Sequence, residues 1–333
     1  MTQFVENLMS RASKLSKTIA LAEGTDVRAA KAAEILTQKN VCKVVLIGNE
    51  EEIKTKFPEI DFTGVSFDDP KTSEHRAEYA NTLYELRKAK GMTEEQALNI
   101  VTTNNMFYAC VALKRGDVDG VVGGAVFSSA DVSRAAFQVI KAAPCISSVS
   151  SCFVMVPPED FKYKKYPAYI FSDCAVIPYP TSDQLSDIVV AAADSAKKIC
   201  EMDPKIAMLS FSTKGSANHE SVEKVRVAYQ KVKEEHPDID VDGELQLDAS
   251  LVDSVANQKA PGSPVAGKAN VLVFPNLDAG NIGYKIAQRF GNCMAIGPIM
   301  QGLALPVNDL SRGCVAEDIA AVAAITALQS VKG

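Results

Sequence analysis

The sequence has no tryptophan, only three histidines among its 333 residues, and no two cysteines at C-x-x-C spacing. It also lacks an apolar run of the roughly 18 residues that a membrane-spanning helix needs. Its start, MTQFVENLMSRASKL, is amphipathic and unlike a signal peptide. Acidic residues outnumber basic ones, 41 to 35, so no basic stripe for nucleic-acid phosphates is expected. These absences predict a cytoplasmic protein that binds neither membrane nor nucleic acid.

The rarity of histidine also limits the possible chemistry. His75, His219 and His236 each lie in a charged helical stretch, where a surface position is the ordinary role. Histidines in such positions are poor candidates for a zinc site or a Ser-His-Asp relay. The eight cysteines lie mostly in apolar segments, as reduced core thiols do. We therefore expect a site built without metal from carboxylates, arginines, hydroxyls and backbone amides.

Short β-branched apolar runs alternate with helical patterns along most of the chain. Strand–helix–strand order with almost continuously apolar strands predicts an α/β fold with mainly parallel sheets covered on both faces. The clearest predicted strands are residues 17–24, 41–49, 118–125, 205–213 and 269–275.

The length corresponds to about two domains. Residues 147–180 contain two strand-like runs around a polar turn, which predicts an antiparallel insertion near the start of a second domain. The helical pattern 316–331 is so apolar that it must be largely buried, and we expect it to pack on the first domain. The predicted domains are therefore 1–146 plus 302–333, and 147–301, with a ligand cleft between them.

The segment GVVGGAVFSS (120–129) combines a strand, two glycines and two hydroxyl residues that open a helix. Glycines let backbone approach a ligand, and a helix N-terminus favours an anion, so Ser128 and Ser129 are candidate substrate-binding residues. Serine is also the preferred N-cap residue, and both interpretations remain open at this point.

Two nucleotide-binding motifs are absent. APGSPVAGKAN (260–270) has the glycines and lysine of a phosphate-binding P-loop, but Ala269 replaces the hydroxyl residue that binds magnesium. A strand also follows this segment where the P-loop requires a helix. No G-x-G-x-x-G follows a predicted strand either. Nucleotide hydrolysis and ordinary dinucleotide binding are therefore disfavoured.

The segment PVNDLSRGCVAEDIAA (306–321) predicts a loop followed by a helix. Arg312 stands beside Ser311 in that loop, and a loop arginine is well suited to holding a phosphate or a carboxylate through two hydrogen bonds. Asp318 lies in the first turn of the helix, where capping is its routine role.

Distinctive strings recur along the chain. They are ELRKAKG (85–91), DGVVGGAVFSSADVSR (119–134), SFSTKGSA (210–217), VDGELQLDA (241–249), GSPVAGKAN (262–270), FPNLDAGNIGYKIAQR (274–289), GPIMQGL (297–303) and NDLSRGC (308–314). Together they closely resemble the phosphate acetyl/butyryltransferase family, which includes the phosphotransacetylases, and the resemblance covers essentially the whole chain.

The resemblance implies a homodimer of chains with two α/β domains, similar in architecture to isocitrate and isopropylmalate dehydrogenases. It implies reversible transfer of an acetyl group between coenzyme A (CoA) and phosphate, in which the CoA thiol attacks acetyl phosphate directly in a ternary complex. Acetyl-CoA, CoA, phosphate and acetyl phosphate are then substrates, with no permanently bound cofactor and no metal requirement.

The family's functional residues can be carried onto matching positions. Its essential Ser-Arg pair falls on Ser311 and Arg312, and its catalytic aspartate falls on Asp318. Its two CoA-binding arginines fall on Arg87 and Arg134. A helix N-terminus weakens a carboxylate as a base, so burial would have to raise the pKa of the aspartate.

Two other functions remain open within this resemblance. Phosphate butyryltransferases share the fold and the chemistry and differ in the acyl pocket. Similar domains fused to malic enzymes resemble non-catalytic acetyl-CoA-sensing modules, but such a module would be expected to lose Ser311, Arg312 or Asp318. A dehydrogenase would need metal-binding aspartates and a nicotinamide loop, and the sequence shows no convincing cluster for either. Cys314 is interpreted as a packing residue, because the expected reaction needs no protein nucleophile.

Overall fold

A computed structural model of the chain describes residues 2–144 and 146–331. The chain divides into two compact units, Met1–Pro144 with Leu303–Gly333, and Cys145–Gly302. Each unit has its own sheet and its own hydrophobic core. None of the helices in the described residues is long and apolar enough to cross a membrane.

The strands and helices alternate through most of the chain. The strands are β1 (Thr18–Leu21), β2 (Lys43–Ile47), β3 (Val65–Asp68), β4 (Gly120–Val122), β5 (Ser150–Val156), β6 (Tyr169–Ser172), β7 (Ile206–Leu209), β8 (Val241–Leu245), β9 (Val271–Val273), β10 (Met294–Gln301) and β11 (Val307–Asn308). The helices are α1 (Gln3–Ser13), α2 (Val27–Gln38), α3 (Glu50–Lys56), α4 (Arg76–Arg87), α5 (Glu94–Thr103), α6 (Asn105–Arg115), α7 (Ser129–Ala135), α8 (Ser182–Cys200), α9 (Glu220–Glu235), α10 (Leu247–Leu251), α11 (Asp253–Lys259), α12 (Leu277–Arg289) and α13 (Ala316–Gln329).

The first unit contains a five-stranded sheet in the order β11-β4-β1-β2-β3. All four pairings are parallel, as expected for apolar strands that alternate with helices. The predicted strands 17–24, 41–49 and 118–125 correspond to β1, β2 and β4. Their carboxyl ends lie at one edge of the sheet, the edge at which ligands bind in open α/β sheets.

The second unit contains a six-stranded sheet in the order β10-β5-β6-β9-β7-β8. Strands β6, β9, β7 and β8 pair in parallel, whereas β5 pairs antiparallel with both β10 and β6. The two strand-like runs of residues 147–180 are thus β5 and β6, and their antiparallel pairing is confirmed. The predicted α/β class with mainly parallel sheets is also confirmed.

Helix α13 is buried along almost its whole length, as its apolar sequence predicts. It packs against α1, α2, β1 and β4 of the first unit. The buried Asn308 side chain donates a hydrogen bond to the Thr326 hydroxyl, 2.8 Å away, which joins β11 to this helix. The loop between β11 and α13, which contains the Ser-Arg pair, is therefore anchored at both ends.

Candidate active site

Three polar segments meet at the carboxyl edge of the first sheet. They follow β1, β4 and β11, which are neighbours in that sheet. The first is residues 22–28, the second is the Gly-Gly turn 123–127, and the third is the Ser-Arg loop 309–315.

Glu23 organises the Gly-Gly turn from the end of β1. Its buried carboxylate accepts hydrogen bonds from four consecutive backbone N–H groups, those of Gly124, Ala125, Val126 and Phe127, at 2.7–3.0 Å. Backbone amides clustered in this way form an anion-binding concavity. The protein's own carboxylate binds these amides, and Gly124 lets the turn approach Asp309 closely.

The hydroxyls of Ser128 and Ser129 both contact neighbouring carboxylates. Ser128 is the N-cap of α7, where its Oγ accepts from the Asp131 N–H at 3.2 Å and donates to the Asp131 carboxylate at 2.6 Å. Ser129 hydrogen-bonds to Asp309 and thereby lowers the pKa of that carboxyl. The capping role of Ser128 is therefore observed, and substrate binding by either serine remains a prediction.

Asp309 is the buried acid of the Ser-Arg loop, with only 2% of its surface exposed. Its Oδ1 atom has no hydrogen-bond partner and lies against Gly124. Burial raises the pKa of Asp309 to about 6, and the nearby charge of Glu23 acts in the same direction. The charge of Arg312 acts against this rise in pKa, which places that guanidinium close to the buried acid.

Ser311 and Arg312 are both exposed on the loop. The Ser311 hydroxyl accepts a weak hydrogen bond from the Gly313 N–H at 3.4 Å. Among the described residues the Arg312 guanidinium has no hydrogen-bond or salt-bridge partner, and only its backbone carbonyl is engaged. The sequence-predicted arginine is thus presented with all its donors available for an anion.

Asp318 lies in the first turn of α13, where its carboxylate accepts from the Val315 N–H at 3.0 Å. Burial raises the pKa of Asp318 above its usual value, and the neighbouring charge of Glu317 adds to this effect. The Val315 hydrogen bond opposes the rise in pKa but does not cancel it. Burial therefore acts in the direction that a general base at a helix N-terminus requires.

Cys314 is buried beside the Ser-Arg pair. Burial raises the pKa of its thiol to about 11, although the charge of Arg28 opposes this. The thiol is therefore protonated near neutral pH and a poor nucleophile. This agrees with the interpretation of Cys314 as a packing residue.

Arg87 lies at the end of α4, in a different part of the first unit's surface from the Ser-Arg loop. It lines a cavity of about 360 Å³, and its Nε is buried without a hydrogen-bond partner. The other lining residues are Lys90, Gly91, Met92, Gln96, Asn99 and Ile100. An arginine and a lysine around an open cavity are suited to a phosphate group.

Arg134 is exposed in the last turn of α7. It forms a salt bridge with Asp131 at 2.6 Å, one turn earlier in the same helix. Ser311, Arg312 and Asp318 lie on one loop and the first turn of the helix that follows it. Neither Arg134 nor Arg87 makes a hydrogen bond or salt bridge to these three within the described residues.

Three residues of this edge were not assigned a role from the sequence: Glu23, Arg28 and Asp309. The first two lie in AEGTDVR (22–28), directly after β1, where charged residues follow a buried strand. The rule that ligands bind at the carboxyl ends of parallel strands would have singled out this segment. Asp309 was noticed only as a loop residue, because its burial depends on tertiary packing.

The family strings in the second unit form an ion-pair network. Arg226 and Ser212 both hydrogen-bond to the buried Glu244 carboxylate. Burial raises the pKa of Glu244, but these donors outweigh it and bring the pKa to about 2. Lys214 similarly pairs with the buried Asp242.

In the described residues no group of three or more His, Cys, Asp or Glu side chains is arranged to hold a metal ion.

Comparison with known proteins decides the family. The family model for "Phosphate acetyl/butaryl transferase" matches residues 3–327. A phosphate acetyltransferase from Acetivibrio thermocellus is 51% identical over 327 residues, which cover 98% of each chain. The chain belongs to the phosphate acetyl/butyryltransferase family.

Solved structures agree with this membership. A phosphotransacetylase from Streptococcus pyogenes has a TM-score of 0.91 to this transferase, at 40% identity over 99% of each chain. A 4-hydroxythreonine-4-phosphate dehydrogenase from Klebsiella pneumoniae, 11% identical, has a TM-score of 0.55 and covers 95% of this chain and 100% of its own. The second similarity concerns the fold alone, and it agrees with the predicted dehydrogenase-like architecture.

Proposed function

We propose that the chain is a phosphate acetyltransferase, which converts acetyl-CoA and phosphate reversibly to acetyl phosphate and CoA. The relatives that match it over nearly their full length have this name. The observation in the site that carries the proposal is the unpartnered guanidinium of Arg312, which adjoins Ser311 in the loop that leads to Asp318.

We propose direct transfer within a ternary complex. The CoA sulfur attacks the carbonyl carbon of acetyl phosphate, forming the C–S bond, while the C–O bond to phosphate breaks and phosphate leaves with the electron pair. Negative charge grows on the carbonyl oxygen and on the departing phosphate. Arg312 can donate two hydrogen bonds to this charge and Ser311 one, and such donors stabilise a transition state strongly when they are fixed beforehand.

Asp318 is the proposed general base. An ordinary thiol has a pKa near 8.5, so only a few per cent of CoA is thiolate at neutral pH. Asp318 removes the thiol proton as the C–S bond forms, and it returns the proton in the reverse direction. Its raised pKa makes it a stronger base than an exposed aspartate.

CoA binding is proposed for Arg87 and Arg134. The cavity at Arg87 supports this for a phosphate of CoA, since Arg87 and Lys90 both line it. Arg134 would have to exchange its Asp131 partner for a CoA phosphate. Ser128 and Ser129 remain proposed substrate contacts, together with Arg312.

The remaining proposals concern the setting of the reaction. We propose that CoA and acetyl-CoA are substrates of an enzyme that holds no permanent cofactor, needs no metal, and works in the cytoplasm. We also propose that residues 1–146 plus 302–333 and residues 147–301 are its two domains.

We propose that the enzyme is a homodimer. Ile282, Ile286 and Phe290 recur every four residues along α12 and are all exposed, Phe290 to 88%. Such spacing places them on one helix face, and an exposed apolar stripe of this kind is typical of an interface. Phe290→Asp should lower the mass seen in sedimentation to that of one chain, whereas Val227→Asp, on exposed α9, should not. An unchanged mass for Phe290→Asp would reject this interface.

The test of the function is thioester formation by the purified protein treated with a chelator, with acetyl phosphate and butyryl phosphate compared. Faster turnover of acetyl phosphate supports the acetyltransferase. Faster turnover of butyryl phosphate would instead indicate phosphate butyryltransferase, because one or two methylenes change binding by only about 1–3 kcal/mol. CoA binding without turnover of either substrate would indicate the acetyl-CoA-sensing module.

A further inference from the structure

Arg28 joins the Gly-Gly turn to the Ser-Arg loop. It lies in the first turn of α2, and its Nη2 donates to the Ala125 carbonyl at 2.8 Å. Its Nη1 donates to the carbonyl of Arg312 at 2.7 Å and, more weakly, to that of Cys314 at 3.4 Å. One guanidinium thus binds backbone carbonyls of two loops that are far apart in the sequence.

Asp26 fixes the orientation of this guanidinium. Its two carboxylate oxygens accept from Nε and Nη2 of Arg28, each at 2.9 Å. Both side chains are mostly buried, which limits screening by water. The paired hydrogen bonds lock the plane of the guanidinium, so that its remaining N–H groups point at the carbonyls. A lysine could supply the charge but not this planar set of donors.

Residues 22–28 also hold the Gly-Gly turn through the backbone N–H groups of that turn. Glu23 accepts from the N–H groups of residues 124–127, while Arg28 donates to the carbonyl of Ala125. The Gly-Gly turn is therefore fixed through both its donors and an acceptor. The Ser-Arg loop is attached to this turn through Arg28.

We propose that Arg28 is a positioning residue of the transferase reaction. It holds the backbone between Arg312 and Cys314 so that the Arg312 side chain and the adjacent start of α13 keep their catalytic geometry. The inference rests on the proposed function and assigns Arg28 no contact with substrate. Small displacements of catalytic groups are costly, because a shift of about 1 Å can reduce the rate on the order of a hundredfold.

The experiment compares Arg28→Lys with Arg115→Lys, a matched change in the same unit at an arginine paired with Glu78. We expect Arg28→Lys to lower kcat about a hundredfold, while KM for CoA changes less than about threefold. Arg115→Lys should leave both constants near those of the unchanged protein. Thermal unfolding of both variants should show that they are folded at the assay temperature.

Hydrogen exchange of peptides from residues 308–318 provides a readout that does not depend on turnover. These amides should exchange faster in Arg28→Lys than in the unchanged protein, and no faster in Arg115→Lys. Near-normal kcat in Arg28→Lys would overturn the proposal, and so would a loss of kcat that the unfolded fraction of the variant explains. Unchanged hydrogen exchange of residues 308–318 would also overturn it. If the unchanged protein shows no turnover, the proposed function fails. Faster exchange would then support only the ordering of the loop by Arg28, and unchanged exchange would reject that as well.

Discussion

The buried carboxyl of Asp309 lies directly against Gly124. A Cβ at position 124 would overlap Asp309 Oδ1 and stand 2.8 Å from the backbone nitrogen of Leu310. The φ of Gly124 is +115°, a conformation that residues with a side chain rarely adopt. The second glycine of the Gly-Gly pair is therefore required where the turn after β4 meets the loop after β11.

Gly124→Ala should destabilise the protein by more than about 2 kcal/mol and abolish most activity, because overlap with Asp309 adds to backbone strain. Gly116→Ala is the control, since φ is +89° there but a Cβ would meet nothing within 4 Å. The loss of free energy of unfolding in Gly116→Ala should therefore reflect only the backbone strain at positive φ. Denaturant unfolding measures both free energies, and equal losses would contradict the role of the contact.

The contribution of Asp309 to the stability of the protein should fall as pH rises between about 4 and 6. Its pKa is about 6 in the folded state against 3.8 as the ordinary value, so in this range the folded state binds the extra proton. The full difference amounts to about 3 kcal/mol. In Asp309→Asn this contribution should vanish. The free energy of unfolding of the variant should therefore increase relative to that of the unchanged protein as pH rises. If the difference in free energy of unfolding between the two proteins stays constant with pH, the raised pKa of Asp309 is contradicted.

The turnover number should decrease at low pH as Asp318 is protonated, at a pH above the usual range of an aspartate. Asp318→Asn can still accept the Val315 hydrogen bond and should fold, but it should lose at least about a hundredfold in kcat. Glu317→Gln, its exposed neighbour, is the control: it should keep kcat at neutral pH, while loss of its charge should move the decrease in kcat to lower pH. If Asp318→Asn retains the turnover and pH profile of the unchanged protein, Asp318 is not the base.

Arg87→Ala should raise KM for CoA by about 10- to 100-fold, because it removes charge-assisted hydrogen bonds to a phosphate. The kcat value should change less, because Arg87 is far in sequence from Ser311, Arg312 and Asp318 and makes no hydrogen bond or salt bridge to them within the described residues. Arg76→Ala, an exposed arginine of the same helix, should change neither constant. A defect confined to kcat would exclude simple CoA binding by Arg87.

Much of the fold follows from apolar periodicity in the sequence. The buried strands β1, β2, β4, β7 and β9 are continuous apolar runs, and the helices between them have regular amphipathic patterns. β11 could not be predicted, because Val307–Asn308 is too short for a pattern. β3 (Val65–Asp68) was missed since only Val65 and Phe67 in it are apolar. The helix that Ser128 and Ser129 open is an α-helix only as far as Ala135, and a wider helical turn continues it over Ala136–Ile140.

The candidate site was predictable where a functional residue stands in a distinctive string. Ser311, Arg312 and Asp318 were proposed in this way, and their roles remain predictions. Glu23 and Arg28 act on loops a hundred or more residues away, and only the sheet order brings them together. Substrate binding at Ser128 and Ser129 remains a prediction, and the sequence could not show that the amides of the Gly-Gly turn bind the side chain of Glu23.

The most direct test is the turnover of Arg312→Ala, measured as thioester formation from acetyl phosphate and CoA in the presence of a chelator. Arg115→Ala is the control, and thermal unfolding checks that both variants are folded. Because Arg312 is exposed and unpartnered, its removal should leave stability unchanged but lower kcat on the order of a hundred- to thousandfold. A folded Arg312→Ala variant with near-normal turnover would contradict the proposed active site.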